Sequence, residues 1–157
     1  MKSFISFFIS LGYFGYLKPG SGTIGTAISI IILFPIFILE LVSYNILIIS
    51  LAVLIIFSIY FIKLYSQFTN QHDSSEIVID EFIGVYLIFI FYNNIFIINH
   101  YFSIILIFFI FRFFDIFKLF PANIIDKSMK NSLGVILDDI IASIYTILTL
   151  IFVNAVL

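Results

Sequence analysis

Acidic side chains of this chain are concentrated in three short clusters, one of which also contains arginine and lysine. The clusters occupy residues 73–81, 112–118 and 138–139. Carboxylate oxygens are the protein ligands that Mg²⁺ prefers, whereas arginine and lysine are suited to binding phosphate. The residue types therefore indicate a site where a divalent cation and a phosphate group come together.

The first cluster places several carboxylates within one or two helical turns. A helix that began near Ser74, capped by Ser74 or Asp73, would stack Glu76 and Asp80 on one face. Stacked carboxylates repel one another, and a bound divalent cation would relieve that repulsion. We expect Glu76, Asp80 and Glu81 to be metal ligands, and Asp80 to be catalytic as well. The alternative is a solvated acidic helix start that complements the helix dipole.

The second cluster lies in an aromatic stretch in which Arg112, Asp115 and Lys118 recur at intervals of three. Ionisable groups within a membrane helix cost about 2.5–3.5 kcal/mol each on insertion scales, so they face partners or a polar cavity. We expect Arg112 and Lys118 to bind phosphate and Asp115 to bind metal and take part in catalysis. A purely structural Arg–Asp pair is the alternative, with a lysine that reaches the headgroups.

The third cluster is the pair Asp138 and Asp139, where the last apolar segment begins. Adjacent residues on a helix point about 100° apart, so one carboxylate can bind metal while the other pairs with a cation. We expect both to be catalytic and Asp139 to bind metal, with an acidic helix start as the alternative. Asp126, in the preceding loop, is interpreted as solvated surface.

A glycine-rich segment, residues 18–26, opens the first apolar stretch. It is not a Walker loop, because no Gly-Lys-Ser/Thr follows at the required spacing. Its glycines free backbone N–H groups at a helix N-terminus, where an anion is favoured. We expect Lys18 and Thr23 to help bind substrate. A flexible interfacial turn with small residues for helix packing is the alternative.

Composition indicates a membrane protein. The chain has 157 residues, of which 63% are hydrophobic and 10% charged, against about 45–50% and about 25% in soluble domains. Because a chain this small cannot hide so much apolar surface, most of its surface must face lipid. The absence of cysteine excludes thiolate sites and disulfides, and a net charge of −2 offers no surface for nucleic acid.

Charge-free stretches predict the spans, because about 20 apolar residues cross a hydrocarbon core of about 30 Å. We predict one domain over residues 1–157, an all-α membrane bundle of four to five spans with an interfacial N-terminal segment. The expected spans are roughly 25–43, 45–64, 81–98, 101–120 and 138–157. Nothing in the sequence supports an oligomer.

Lysines in the loops predict the orientation. The lysines all flank one set of span ends, whereas the opposite loops, near residues 43–45 and 99–101, contain none. We expect the lysine-bearing end, with all three acidic clusters, to be cytoplasmic. His100 would then lie at the opposite end from His72, which excludes a catalytic histidine pair. Glu40 is expected near the outer interface.

Four segments, in order along residues 11–150, resemble motifs of the phosphatidylglycerophosphatase A family. Residues 18–26 resemble its Pro-Gly-x-x-Gly-Thr motif, and residues 73–84 are similar to Asp-Pro-x-x-Ile-Val-x-Asp-Glu-x-x-Gly. Residues 111–121 resemble Phe-Arg-x-Phe-Asp-x-x-Lys-Pro-x-Pro, and residues 133–142 resemble Gly-Gly-x-Gly-x-x-x-Asp-Asp-x-x-Ala. Ser74, Leu119 and the pair Asn131-Ser132 depart from these motifs, but no departure removes a charged group.

The resemblance implies Mg²⁺-dependent hydrolysis of a phospholipid, phosphatidylglycerol phosphate, at the cytoplasmic face of a bacterial inner membrane. We favour a metal-activated water over an aspartyl-phosphate intermediate. A small ion- or proton-coupled transporter that uses the same carboxylates is the alternative function. A CDP-alcohol transferase is disfavoured because its Asp-Gly-x-x-Ala-Arg motif is missing, and a purely structural subunit would leave the three acidic clusters unexplained.

Overall fold

The computed structural model describes residues 2–71, 74–95 and 99–156, and every regular element in them is helical. The prediction of an all-α fold is confirmed. In chain order the helices are α1 (Lys2–Ile9), a 3₁₀ turn (Phe14–Tyr16), α2 (Ser21–Ile38), α3 (Tyr44–Thr69), α4 (Ile79–Ile90), α5 (Tyr92–Ile95), α6 (His100–Phe117), α7 (Ala122–Ser128) and α8 (Ser132–Val156).

Four helices are long and apolar enough to cross a membrane, namely α2, α3, α6 and α8. They contain 18, 26, 18 and 25 residues, so the shortest is about 27 Å long. Their outward faces carry large exposed apolar side chains such as Ile31, Ile56, Phe109 and Phe152. Such faces are stable only against lipid, which agrees with the predicted membrane bundle.

The third expected span, 81–98, differs from the structure. Helix α4 has only 12 residues, about 18 Å, and a turn at Phe91 separates it from α5. Residues 96–98 lie outside the described part of the chain. Helix α4 is buried on most of its circumference and packs against α2, α3 and α8. Because protein surrounds it, the bilayer thickness does not set its length.

The other helix ends differ from the expected spans by up to six residues, for local reasons. Helix α6 ends three residues earlier than expected because Lys118 adopts a left-handed conformation, with φ of 42°. Helix α8 begins six residues earlier than expected, where the Asn131 side chain accepts a hydrogen bond from Gly134 N. An asparagine in this position is a favourable helix cap.

Buried hydroxyl groups in the spans satisfy their donors within their own helices. Thr26, Ser29, Ser143 and Thr146 each donate to the carbonyl four residues earlier. A hydroxyl that is satisfied in this way can lie inside a membrane bundle at little cost. Small side chains at these positions let neighbouring helices approach closely.

The N-terminal segment connects α1 to the turn that precedes α4. Helix α1 buries Ile5 and Ile9 but exposes Phe4 and Phe7, a one-sided pattern that fits an interfacial helix. The carbonyl of Ile9 accepts a hydrogen bond of 3.0 Å from the backbone N–H of Val78. This contact fixes the chain one residue before α4 begins.

Candidate active site

A cavity of about 470 Å³ lies at one end of the bundle. Its lining combines residues from the starts of α2, α4 and α8 with residues from the end of α6 and the segment after it, among them Ser21, Asp80, Glu81, Asp115, Lys118 and Asp138. The fold therefore brings segments that are more than 100 residues apart in the sequence to a single cavity. All three acidic clusters contribute to it.

Three carboxylates converge closely at this end of the bundle. One oxygen each of Asp80, Glu81 and Asp139 lies within 4.8 Å of the others. Glu81 and Asp139 are only 8% and 3% exposed, and Glu81 Oε2 and Asp139 Oδ2 make no hydrogen bond within the described structure. Buried carboxylates at this spacing are costly without a cation. A set of hard oxygen donors fits a divalent ion of the Mg²⁺ type.

Helix packing positions these carboxylates. Asp80 and Glu81 occupy the first turn of α4, where Glu81 N donates to Asp80 Oδ1 at 3.1 Å. Asp139 lies on a buried stripe of α8 that continues through Ala142, Ser143, Thr146 and Leu150. The spacing of three or four residues keeps this stripe on one face. Asp139 therefore points inward with the core, while Asp138 lies about 100° around the helix.

Arg112 lies between two acidic residues on α6 and α4. Its Nη1 forms an ion pair with Asp115 and lies 3.8 Å from Glu81 Oε1. A Cβ at Gly22 would overlap Glu81 Oε1 and lie 3.1 Å from Arg112 Nη1. Glycine thus leaves room for this pair where α2 passes it, and the guanidinium lies between the two carboxylates.

Lys118 connects two acidic residues across the end of α6. Its Nζ donates to Asp138 Oδ2 at 2.6 Å and to Asp126 Oδ1 at 2.5 Å. Burial opposes its charge, but these two hydrogen bonds outweigh burial and raise the pKa of Lys118 above its usual value. The interpretation of Asp126 as solvated surface was wrong, because Asp126 lines the cavity and pairs with Lys118.

Glu76 does not lie on the helix with Asp80. A turn at residues 75–76, in which Ile77 N donates to Ser74 O, precedes α4. The expected stacking of Glu76 and Asp80 on one helical face was therefore wrong. The predicted cap by Ser74 is also absent, because α4 begins at Ile79 and the Ser74 hydroxyl donates to Glu76 instead.

The Glu76 carboxylate has partners of its own. It accepts hydrogen bonds from Tyr65 at 2.5 Å and from Ser74 at 2.7 Å, and Lys18 Nζ lies 4.0 Å away. The hydrogen bond from Tyr65, followed by that from Ser74, holds the pKa of Glu76 below its usual value. Glu76 is not part of the three-carboxylate group. Asp73 and His72 lie outside the described residues.

The glycine-rich segment contributes to the cavity through a residue that was not expected. Ser21 lines it, whereas Lys18 and Thr23 do not. Thr23 is exposed on α2, and Lys18 is a largely exposed side chain that faces Glu76. Lys130 and Asn131 also line the cavity and were not predicted. Asn131 had a recognisable signal, because an asparagine before a helix is a common cap.

The helices and the cavity define an integral membrane protein with a carboxylate-rich site at one end of its bundle. The model of the phosphatidylglycerophosphatase A family matches residues 7–154. Phosphatidylglycerophosphatase A of Haemophilus influenzae is 30% identical over 134 residues, which cover 85% of this chain and 78% of that protein. No solved structure matches the chain. The chain belongs to the phosphatidylglycerophosphatase A family, and it is an enzyme of the phosphoric monoester hydrolase class. A transporter function has no support.

Proposed function

We propose that this protein hydrolyses phosphatidylglycerol phosphate to phosphatidylglycerol and inorganic phosphate. The observation that carries the proposal is the convergence of Asp80, Glu81 and Asp139 in a polar site at the end of an apolar helical bundle. A phosphate headgroup can enter such a site while the acyl chains of the same molecule stay in the bilayer. Family membership supports the reaction.

The three-carboxylate group is the place for the divalent cation. Asp80, Glu81 and Asp139 would hold it, and the buried oxygens without hydrogen bonds support this assignment. A bound Mg²⁺ supplies charge neutralisation for phosphate oxygens and lowers the pKa of a coordinated water. Carboxylates outnumber the nearby cations, so a phosphate without a metal ion would be repelled from this cavity.

The surrounding side chains have distinct proposed roles. Asp138 lines the cavity, and Lys118 binds its Oδ2, whereas its Oδ1 makes no hydrogen bond to any described residue. We assign Asp138 to orient the attacking water and accept its proton. Asp115, held by Arg112, supports the metal ligands. Lys118 holds the Asp138 carboxylate by a hydrogen bond and contributes positive charge toward the phosphate.

The proposed location is a bacterial cytoplasmic membrane, with the cavity at the cytoplasmic face. The lysines in the loops at the cavity end support this orientation. Within the glycine-rich segment, Ser21 is better placed than Thr23 to contact the headgroup, because Ser21 lines the cavity. Lys18 is exposed, and its separation of 4.0 Å from Glu76 is a loose contact that it can exchange for a phosphate.

Phosphate release from short-chain phosphatidylglycerol phosphate tests the proposal. The full chain, purified in detergent, is assayed with Mg²⁺, with EDTA, and with EDTA followed by excess Mg²⁺. We expect release with Mg²⁺, loss with EDTA and recovery on addition of Mg²⁺. Failure to release phosphate under any divalent cation would overturn the assigned reaction, and full activity in EDTA would overturn the metal assignment alone.

A further inference from the structure

The cations around the cavity differ in how far they are already neutralised. Lys118 is bound by both Asp126 and Asp138, and Arg112 by Asp115. Lys130 also lines the cavity, but within the described residues no carboxylate oxygen lies within 4.0 Å of its ammonium group. Its charge is therefore available to an anion from outside.

Asn131, the next residue in the chain, also lines the cavity and adds a hydrogen-bond donor. Its Oδ1 accepts from Gly134 N at 2.9 Å, which fixes the side chain against the start of α8. With Oδ1 used in the cap, the NH₂ group remains for a ligand, and that group only donates. A cation and an amide donor on consecutive residues of the lining are suited to binding phosphate oxygens.

The proposed substrate carries phosphate at two positions. One is the terminal monoester, which reacts, and the other is the diester that joins the headgroup to diacylglycerol. The three-carboxylate group with its cation can accept only the reacting phosphate. When the reacting phosphate of a bound substrate lies at the cation, its diester phosphate must therefore lie in another part of the cavity.

Building on the proposed function, we infer that Lys130, assisted by Asn131, binds the diester phosphate of the substrate. Lys130 is then a residue that determines specificity. It favours lipids with two phosphates separated by glycerol over lipids with a single phosphomonoester. The reacting phosphate does not depend on it.

Inhibition of hydrolysis separates the two phosphate positions. Phosphatidylglycerol retains only the diester, whereas inorganic phosphate resembles only the reacting group. We compare wild type, Lys130→Gln and Lys130→Arg, with Lys127→Gln as the control, because Lys127 is an exposed lysine that does not line the cavity. The assay measures KM and kcat for short-chain phosphatidylglycerol phosphate, with the inhibition constant of each product.

For Lys130→Gln we expect KM and the inhibition constant of phosphatidylglycerol to rise about three- to tenfold, the range for a partly exposed ion pair with a hydrogen bond. The kcat and the inhibition constant of inorganic phosphate should stay within about twofold of wild type. Lys130→Arg should retain most of the affinity, and Lys127→Gln should match wild type.

Equal weakening of both inhibitors, no change in either, or a wild type that phosphatidylglycerol does not inhibit would each overturn the inference. These outcomes leave the proposed reaction standing, since phosphate is still released in each of them. A wild type that releases no phosphate from phosphatidylglycerol phosphate would instead overturn the proposed function, and the inference would be overturned with it.

Discussion

Acidic side chains at this site differ in what neutralises them. Asp115 is paired with Arg112, and Asp126 and Asp138 share Lys118. Asp80, Glu81 and Asp139 instead face one another, and among the described residues the one cation within 4.0 Å of any of them is Arg112, 3.8 Å from Glu81. The remaining excess of negative charge is therefore concentrated on these three residues. That distribution distinguishes proposed metal ligands from structural ion pairs.

Replacing one carboxylate oxygen of the three-carboxylate group tests whether its members bind metal. Asp80→Asn keeps the size of the side chain but removes its charge, so we expect phosphate release to fall more than about 100-fold. Thermal unfolding in detergent should show a folded protein, because one charge has been removed from a group of carboxylates that repel one another. The control is Glu40→Gln, an exposed carboxylate far from the cavity. Near-normal hydrolysis by Asp80→Asn would remove Asp80 from the metal site.

The role of Glu76 is open to a direct measurement. Since Tyr65 and Ser74 already occupy its carboxylate, we expect Glu76→Gln to lower activity by less than about tenfold and to leave the Mg²⁺ concentration for half-maximal rate unchanged. Tyr65→Phe, which removes one partner of the same carboxylate, should behave alike. A clear increase in the Mg²⁺ requirement of Glu76→Gln, but not of Tyr65→Phe, would restore the original prediction of a metal ligand.

At the residue scale, the sequence was a good guide to which side chains lie at the site. It was a poorer guide to which other side chains they bind. Asp80 and Asp139 were named as metal ligands from charge clusters at the ends of apolar stretches, and the structure brings them together. The contact of Lys118 with Asp126 depends on how the chain turns around Pro121. The spacing of apolar residues in the sequence does not predict that turn. Glu76 was wrongly predicted to lie on α4, because no capping side chain marks the start of that helix in the sequence.

Close contact between helices is the feature that builds the site at the element scale. Gly22 on α2 lies against Glu81 of α4 and Arg112 of α6. Further along the bundle, a Cβ at Gly84 would lie 2.8 Å from Ser143 Oγ and 2.9 Å from Phe111. Glycines therefore allow α2 and α8 to approach α4 closely, and Gly84 leaves room for the ring of Phe111 on α6. This close packing of the helices sets the distances between the side chains of the site.

Gly22→Ala tests that dependence. The added methyl group must displace Glu81 Oε1 and the Arg112 guanidinium, which are the ends of flexible side chains. We therefore expect a loss of activity of about 10- to 100-fold, typical of a misplaced active-site group, with a melting temperature within a few degrees of wild type. Ile31→Ala, on the exposed face of the same helix, should change activity little. Unchanged activity in Gly22→Ala would contradict the close approach of α2 to Glu81.

The helices whose length is set by the bilayer could be predicted from the sequence. Helix α4, whose length is set by the protein around it, could not be predicted as well. Charge-free stretches located α2, α3, α6 and α8, because the bilayer imposes a minimum apolar length. The same rule overestimated α4, which is enclosed by its neighbours and needs no such length. The turn before it, residues 74–78, is set by tertiary contacts with Ile9 and Tyr65.

At the scale of the whole molecule, the charged side chains are distributed unequally between the two ends of the helical bundle. At the cavity end, Lys118 and Lys130 line the cavity, and Lys2 lies 5.4 Å from the ring of Phe68 near the end of α3. At the opposite end, the cavity between α2, α3 and α4 contains Glu40 but no lysine or arginine among its lining residues. This asymmetry is the physical basis of the proposed orientation, because loops rich in lysine are retained in the cytoplasm.

The absence of cysteine makes that orientation measurable with single substitutions. Ser128 is exposed at the end of α7, on the cavity side, and Ser43 is exposed where α3 begins, on the opposite side. In bacterial spheroplasts that express each variant, we expect a membrane-impermeant maleimide to label Ser43→Cys in intact cells. Ser128→Cys should be labelled only after permeabilisation, because its thiol would face the cytoplasm. Both variants lie outside the three-carboxylate group and should retain phosphate release, which confirms that the labelled protein is folded. The reverse pattern would place the cavity on the outer face and overturn the proposed orientation.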